Sequence, residues 1–328
     1  MPEIQIDTIR NASQKALEAH GAAPWIAAEV ANAVAVAESH GNVICGLYYL
    51  ESYCTQLASG RVDGVVDPII RTPKPAAIQA DACFGFAQPA FARGLPVALD
   101  AVASQGIAHL AVSNAHTCTS LGYFTEQIAR AGYMAIGFTN ASPVVAPPGG
   151  NKAVLGTNPI AMSVPDGAGG LATHFDFSTS AVALGKITMA KAAGEAIPLG
   201  WAVDGEGNPT TDPVAALDGS LVSAGGYKGW GFGLMAELLA AGITGSVNSL
   251  DVSGLKLPNG KPHGLGQFYI LLDTTVHGDG FGAKIARVAD AVAEQEGARL
   301  PGSNRHAASK VIVPDALWAQ TLGLAGLA

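Results

Sequence analysis

FTNASPVVAPPGGNKAVLGTNPIAMSVPDGAGGLATHFDFSTS, residues 138–180, decides how the chain is read. An apolar strand over 133–138 runs out into a polar loop rich in proline and glycine. A tight LGTNPI turn follows at 155–160. A further strand ends in Asp176 and the hydroxyl cluster Ser178, Thr179 and Ser180. Glycine lets backbone approach a ligand closely, and proline stiffens a loop that would otherwise lose entropy on ordering. A carboxylate beside several hydroxyls at a strand end suits sugar hydroxyls, amides or phosphates. The stretch is therefore expected to floor a ligand site.

Composition narrows the class around it. The 328 residues are 49% hydrophobic and 13% charged, which is the make-up of a core-rich globular protein. Forty-one glycines and 19 prolines call for many tight turns. A formal net charge of −8 gives no footprint for nucleic acid or an anionic membrane. No apolar run approaches the roughly 20 residues that span a bilayer. The N-terminus shows no basic segment followed by an apolar one, so a cytoplasmic protein is expected. The four cysteines are widely spaced without a CxxC pair, and no His, Cys and carboxylate cluster has metal-ligand spacing; neither a disulfide framework nor a metal is expected.

Upstream, apolar residues at helical spacing predict helices over 5–20, from Pro24 to Gly41, and over 47–57. This helical lobe is expected to occupy 1–75, joined by the apolar tail at about 306–328. Residues 76–305 then form an α/β region. Its sequence reads helix (89–106), strand (106–113), a loop holding His116, and a helix (121–131) with Thr119 or Ser120 as N-cap. Downstream, 197–219 reads almost entirely as loop. GGYKGWGFG places Lys228 among glycines at a helix start, where free N–H groups suit an anion. QFYILLD (267–273) reads as a buried strand.

No GxGxxG follows a strand and opens a helix, so a dinucleotide would not bind here through the Rossmann fingerprint. Seven stretches together resemble a different family: GIAHLAVSNAH, TNASPVVAPPGG, LGTNPIAMSVP, FDFSTSAVALGKI, IPLGWAVDGEGNPTTDP, GGYKGWGFGLMAELL and ARLPGSNRH. In order and spacing they are similar to the non-Rossmann malate/L-lactate dehydrogenase family, over most of residues 30–310. That family includes Δ1-piperideine-2-carboxylate/Δ1-pyrroline-2-carboxylate reductases and ureidoglycolate dehydrogenases. The resemblance implies a mixed-sheet NAD(P)-binding fold, NADPH or NADH as cofactor, a small carboxylic acid as substrate, and a homodimer with its active site near the interface.

Carried over by position, the resemblance implies a catalytic place for His116 and substrate contact for Thr157 and Asn140. It implies cofactor contacts for Ser120, His174, Phe175, Asp176, Ser178, Lys228, Gly302, Ser303 and Arg305, with Ser303 where the family usually has glutamate. Arg305, Lys186 and Lys191 are the candidates for meeting a 2′-phosphate. The family also carries Ser-His-Gly followed by Leu-x-Arg, in which the histidine moves a proton and the arginine pairs with the substrate carboxylate. Here Ile44, Cys45 and Tyr49 stand at those places. Cys45, Tyr48 and Tyr49 are the substitute candidates for proton donation and substrate contact.

Reducing a ketone needs a proton at the developing alkoxide, and a positioned acid is worth about 10²–10⁴-fold. A cyclic imine can arrive already protonated on nitrogen. The expected activity is thus reduction of 2-oxo or cyclic 2-imino acids, with the imino acids favoured. A 2-hydroxy-acid dehydrogenase and a catalytically silent NAD(P)-binding relative are the alternatives.

Overall fold

The computed structural model describes residues 1–328. The chain opens with β1 (Glu3–Gln5), α1 (Ile6–Ala19), α2 (Pro24–Ser39) and α3 (Leu47–Ala58). In α1 the buried residues Ile9, Ala12, Ala16 and Leu17 recur at helical spacing, as the sequence predicts. Pro24 opens α2 at its first position, where a missing N–H costs nothing. The three helices enclose a core that includes Ile9, Leu17, Ile26, Leu50 and Tyr53.

A sheet follows: β2 (Ile69–Lys74), β3 (Ala77–Asp81), α4 (Ala87–Gln105), β4 (Ile107–Ala115), α5 (Gly122–Arg130), β5 (Met134–Thr139), β6 (Ile160–Pro165) and β7 (Leu171–Phe177). The single strand expected to end at Asp176 is therefore the second arm of a hairpin. Asp166 turns the chain between the arms by accepting from Ala168 and Gly170 N–H groups. Next come α6 (Leu184–Ala193), β8 (Ala202–Val203), β9 (Pro209–Thr210), α7 (Pro213–Asp218), β10 (Ser220–Leu221) and α8 (Tyr227–Glu237). Residues 197–219, expected as loop, hold two strands of a small three-stranded sheet and α7. Strands two residues long carry too little periodicity to be seen in sequence. This sheet and α6 share a core of Val145, Leu155, Ile187, Ile197 and Leu221.

The chain ends with β11 (Leu265–Leu272), α9 (Phe281–Ala293), β12 (Lys310–Ile312) and α10 (Asp315–Leu324). β12 pairs antiparallel with β1, and α10 packs on α1 and α3, so the apolar tail does join the helical lobe.

The main sheet has the order β2-β3-β4-β11-β5-β6-β7. Only β3 and β4 run parallel; the other pairs are antiparallel. It is a mixed sheet, as expected. β11, the apolar run read from the sequence, sits between β4 and β5 and is buried along most of its length. On one face α4 and α5 bury Phe91 and Phe124 against Tyr269. On the other, Phe138 and Phe268 meet Ala236 of α8. Gly266 permits that second layer, because a Cβ there would stand 1.7 Å from the Ala240 carbonyl oxygen, in the π-helical turn Leu238–Ile243.

Candidate active site

The β6–β7 hairpin carries His174, Phe175 and Asp176 to the start of α5. Asp176 Oδ2 accepts from the Gly122 N–H at 2.7 Å and from Ser120 Oγ at 3.3 Å. The side chain that caps α5 is thus Asp176, 54 residues away, and not Thr119 or Ser120, because α5 begins after Leu121 with no local side-chain cap. Burial raises the Asp176 carboxyl above its ordinary range, and these hydrogen bonds and Arg305 oppose that. A carboxylate on this helix end disfavours a phosphate there.

His174 is fixed by a relay of hydroxyls. Thr125 donates to the Gly122 carbonyl, and Ser163 Oγ donates to Thr125 Oγ1 at 2.9 Å. The Ser163 oxygen is left to accept from His174 Nδ1, 2.8 Å away, so Nε2 carries the lone pair. Burial first, then the Arg305 charge, lower the His174 pKa to about 4. The turn after Arg299 docks on the same strand, since Thr173 Oγ1 donates to the Pro301 carbonyl at 2.8 Å. Gly302 has φ 86°, and a Cβ there would lie 2.8 Å from the His174 nitrogen. Between hairpin, α2 and turn lies a cavity of about 430 Å³, lined among others by Ser120, His174, Phe175, Asp176, Gly302 and Arg305.

Six of the nine expected cofactor residues therefore converge. Ser303 lies within the same turn, exposed. Ser178 bonds Ser180 and does not line the cavity, nor does Lys228, exposed on the first turn of α8. Arg305 meets Glu126 at 2.6 Å and His40 Nε2 at 2.8 Å, so its charge is already matched. Arg299 also lines the cavity and makes no ion pair. It is the cation there best placed for a phosphate. Lys186 and Lys191 lie on α6 and do not line it. A cleft of stacked Phe175, hydroxyl, carboxylate and free guanidinium fits a dinucleotide.

Beyond Asp176 lies the turn Val43–Cys45 and the start of α3. The Cys45 thiol is pushed up to about 12 by burial and by the Asp176 charge; a hydrogen bond from Asn42 and the charge of Lys256 oppose this. Tyr49 is buried, its phenol raised by burial, and its hydroxyl donates to the Leu255 carbonyl at 3.3 Å. Tyr48 is exposed, with the Lys256 ammonium 4.1 Å from its ring centroid.

His116 lies enclosed beside the substrate-side loop. It is 1% exposed, stacked on His263 at 3.9 Å and flanked by Phe86 and Tyr53. Its Nε2 bonds Gln56 Oε1. Gln56 Nε2 donates to the carbonyls of Leu255 and Leu257, so Oε1 is the acceptor and His116 Nε2 holds the hydrogen. Burial, His263 and Arg61 keep the ring neutral. A packed, neutral imidazole orients its neighbours, and its Nδ1 has no hydrogen-bond partner within the chain.

Asn140 is likewise occupied. Its amide donates to the Val247 carbonyl at 2.8 Å and accepts from the Gly266 N–H at 3.1 Å, so it clips two loops together. Thr157 is half-buried at the LGTNP turn; Thr179 holds its carbonyl, and its own hydroxyl makes no bond within the chain. The next residue, Asn158, bonds Glu237 in a buried network.

A family model described as malate/L-lactate dehydrogenase matches residues 4–315. The chain belongs to the malate/L-lactate dehydrogenase family. It is 42% identical to a (2R)-3-sulfolactate dehydrogenase (NADP(+)) of Chromohalobacter salexigens, over 89% of this chain and 87% of that one. It is 34% identical to a Δ1-pyrroline-2-carboxylate/Δ1-piperideine-2-carboxylate reductase of Pseudomonas aeruginosa, over 99% of both. The solved structure of the Δ1-piperideine-2-carboxylate reductase of Pseudomonas syringae superimposes with a TM-score of 0.90 at 31% identity, covering 99% of this chain and 100% of that one. This member of the family is an NAD(P)-dependent oxidoreductase.

Three side chains around His116 were not found by sequence reasoning: Gln56, Arg61 and His263. Gln56 and Arg61 grip the loop 253–261 from about 200 residues away. The available signal was a lone arginine in the GRVDG turn, followed far downstream by the turn-rich SGLKLPNGK.

The buried imidazoles make stability depend on pH. His263 is lowered to about 3, chiefly by burial, and His174 to about 4. A histidine with a folded pKa below its unfolded value of about 6.5 stabilises the fold fully above that value, and loses this contribution as pH falls towards the folded pKa. Between pH 7 and 5 each ring should cost up to about 2 kcal/mol, so the urea midpoint should fall steadily. A midpoint unchanged across that range would mean that these rings titrate in the folded protein as they do in the unfolded chain.

Proposed function

We propose that this enzyme reduces small cyclic 2-imino carboxylates of the Δ1-pyrroline-2-carboxylate and Δ1-piperideine-2-carboxylate class with NADPH. One observation carries the reading: the chain is 34% identical over 99% of its length to a reductase named for these imino acids. The Cys45 thiol stands at about 12. The Tyr49 phenol is raised and already bonded. His116 is neutral and packed. A protonated imine needs no proton from these groups.

A nicotinamide held by the residues of the cleft would supply the hydride for the imine carbon. The electron pair of the C=N bond moves to a nitrogen that already carries its proton, and a cyclic 2-amino acid results. The chain's own residues hold the cofactor along β7 and the 299–305 turn, keep the acid oriented and limit water. The similarity to reductases named for these imino acids supports the substrate class. The similarity to a sulfolactate dehydrogenase keeps 2-hydroxy-acid oxidation as the second reading.

The assembly proposed is a cytoplasmic homodimer with the site near its interface. Val43, Ile44 and Tyr48 beside Cys45 are 50, 40 and 57% exposed, and α9 buries none of its residues. A second copy would cover such apolar surface.

Following NADPH absorbance with both imino acids, pyruvate and oxaloacetate tests the reading, and sedimentation of the same preparation should give a dimer. Consumption confined to the imino acids is the expected result. Equal or faster consumption with the open 2-oxo acids would overturn it.

A further inference from the structure

Two guanidiniums line the cleft between β7 and the 299–305 turn, and only one of them is free. Arg305 is engaged within the protein. Its Nη1 lies 2.6 Å from Glu126 Oε2 and 2.8 Å from His40 Nε2. Glu126 also accepts from Arg130, from Nε at 3.0 Å and Nη2 at 2.8 Å, and it is 7% exposed. Drawing Arg305 towards a ligand would strip a buried carboxylate of one of its two partners, which is costly. Arg299 is exposed, lines the same cavity and meets no carboxylate of the protein.

The backbone under Arg299 is fixed. The Pro301 carbonyl accepts from the Thr173 hydroxyl at 2.8 Å and from the His174 N–H at 3.2 Å, which pins the turn to β7. The Ser303 N–H donates to Leu300 O at 3.1 Å and the Arg305 N–H to Gly302 O at 2.9 Å, which closes the turn on itself. Arg299 stands just before this anchor, so its backbone is placed while its side chain stays free to reach. Charge is distributed unevenly along the wall. Asp176 is the one carboxylate that lines the cavity, and it is held at the start of α5 by the Gly122 N–H and Ser120. The turn RLPGSNR itself carries two cations and no acid. One side of the cleft therefore opposes a phosphate and the other attracts it.

We propose that Arg299 selects NADPH over NADH by pairing with the 2′-phosphate of the adenosine ribose, and that Asn304, which lines the cavity from the same turn, donates a second hydrogen bond to it. A guanidinium presents a planar pair of N–H groups that matches two phosphate oxygens. A phosphate monoester carries about −1.5 to −2 charges at neutral pH, whereas the 2′-hydroxyl of NADH carries none and gains little from the same partner. Arg305 is the positioning residue of the turn. Through Glu126 it ties the turn to α5, and through His40 it ties it to the end of α2. The division of labour between the two arginines follows from their partners: the one with a buried carboxylate holds the turn, and the one without waits for the ligand.

The inference rests on the cofactor half of the proposed function and not on the acid. Its test is calorimetric titration of the parent, Arg299→Leu and Ser303→Glu with 2′,5′-ADP and with 5′-AMP, two fragments that differ only in the 2′-phosphate. The parent should bind 2′,5′-ADP more tightly. Arg299→Leu should weaken that binding about 10- to 150-fold, the loss of one charge-assisted pair, and leave 5′-AMP where it was. Ser303→Glu, which sets a carboxylate in the turn, should weaken 2′,5′-ADP in the same direction. In steady-state kinetics, KM for NADPH should rise in both variants while KM for NADH and for the acid stays unchanged. Binding of 2′,5′-ADP to Arg299→Leu as tight as to the parent would overturn the assignment. Equal weakening of both fragments would also overturn it, because Arg299 would then hold a part common to the two. If the parent binds the fragments equally, the choice of NADPH fails with it. Neither fragment involves the acid, so a failure of the imino-acid reading shows only in the turnover assay and leaves this test standing.

Discussion

Histidine at position 45 should open this enzyme to 2-oxo acids. The paired change Ile44→Ser with Cys45→His should raise kcat/KM for pyruvate by about 10²-fold or more, the lower end of what a positioned general acid supplies. The argument starts from the thiol. Cys45 is held up at about 12 by burial and by Asp176, so at neutral pH it is a neutral group that parts with its proton reluctantly. An alkoxide forming beside it receives little help. An imidazolium at the same place would sit near the Asp176 carboxylate, which favours the charged ring. Ile44 must change as well, because its Cδ1 lies against Gly185 at the start of α6, and a smaller residue there leaves room for the new ring to settle. Cys45→Ala is the control. Reduction of the cyclic imine should remain within about threefold of the parent, since an iminium carries its own proton. The result that would sink this account is loss of imine reduction in Cys45→Ala, which would make the thiol the donor after all. Failure of the histidine variant to gain pyruvate activity, with its cofactor KM unchanged, would place the barrier in substrate binding instead.

Much of this was legible in the chain, and the divide is physical. The stripe Ile9, Ala12, Ala16 announces α1, and the unbroken apolar run at 267–272 announces β11, because periodicity and burial are local signals. The resemblance groups Ser120, His174, Asp176 and Gly302, and these residues do line one cavity from three segments. What stayed hidden depends on partners far along the chain. Nothing around Ser120 shows that the cap of α5 comes from Asp176. Nothing around His116 shows that it will be enclosed by Gln56, His263 and Phe86 and kept neutral. The clamp on the 253–261 loop was not visible, because Gln56 and Arg61 reach it only through hydrogen bonds spanning about 200 residues. Side chains whose role is to hold backbone carbonyls leave no motif, since any loop sequence offers the same acceptors.

Arg61→Leu should be the most damaging single change on the substrate side. The guanidinium is 1% exposed and forms four hydrogen bonds, to the carbonyls of Gly254, Leu257 and Lys261 and to Ser253 Oγ. It faces no carboxylate; three carbonyls and the Ser253 hydroxyl stabilise its charge. Leucine would leave most of those acceptors with neither partner nor water. An orphaned acceptor costs about 1–3 kcal/mol, but the loop can relax towards solvent and Leu257 O keeps Gln56, so a total of about 3–5 kcal/mol is expected. Urea denaturation should show it directly. The functional consequence separates this loop from an ordinary surface excursion. A loosened 253–261 segment would disturb Gln56 and through it His116, so KM for the acid should rise in the surviving folded enzyme while KM for NADPH stays near the parent value. Arg61→Lys should fall between the two, because one ammonium cannot reach all four acceptors in the fixed geometry of a guanidinium. If Arg61→Leu were as stable as the parent, the loop would be held by Gln56, Ser59 and Tyr49 without it. If it lost stability and yet bound the acid normally, the clamp would serve the fold alone.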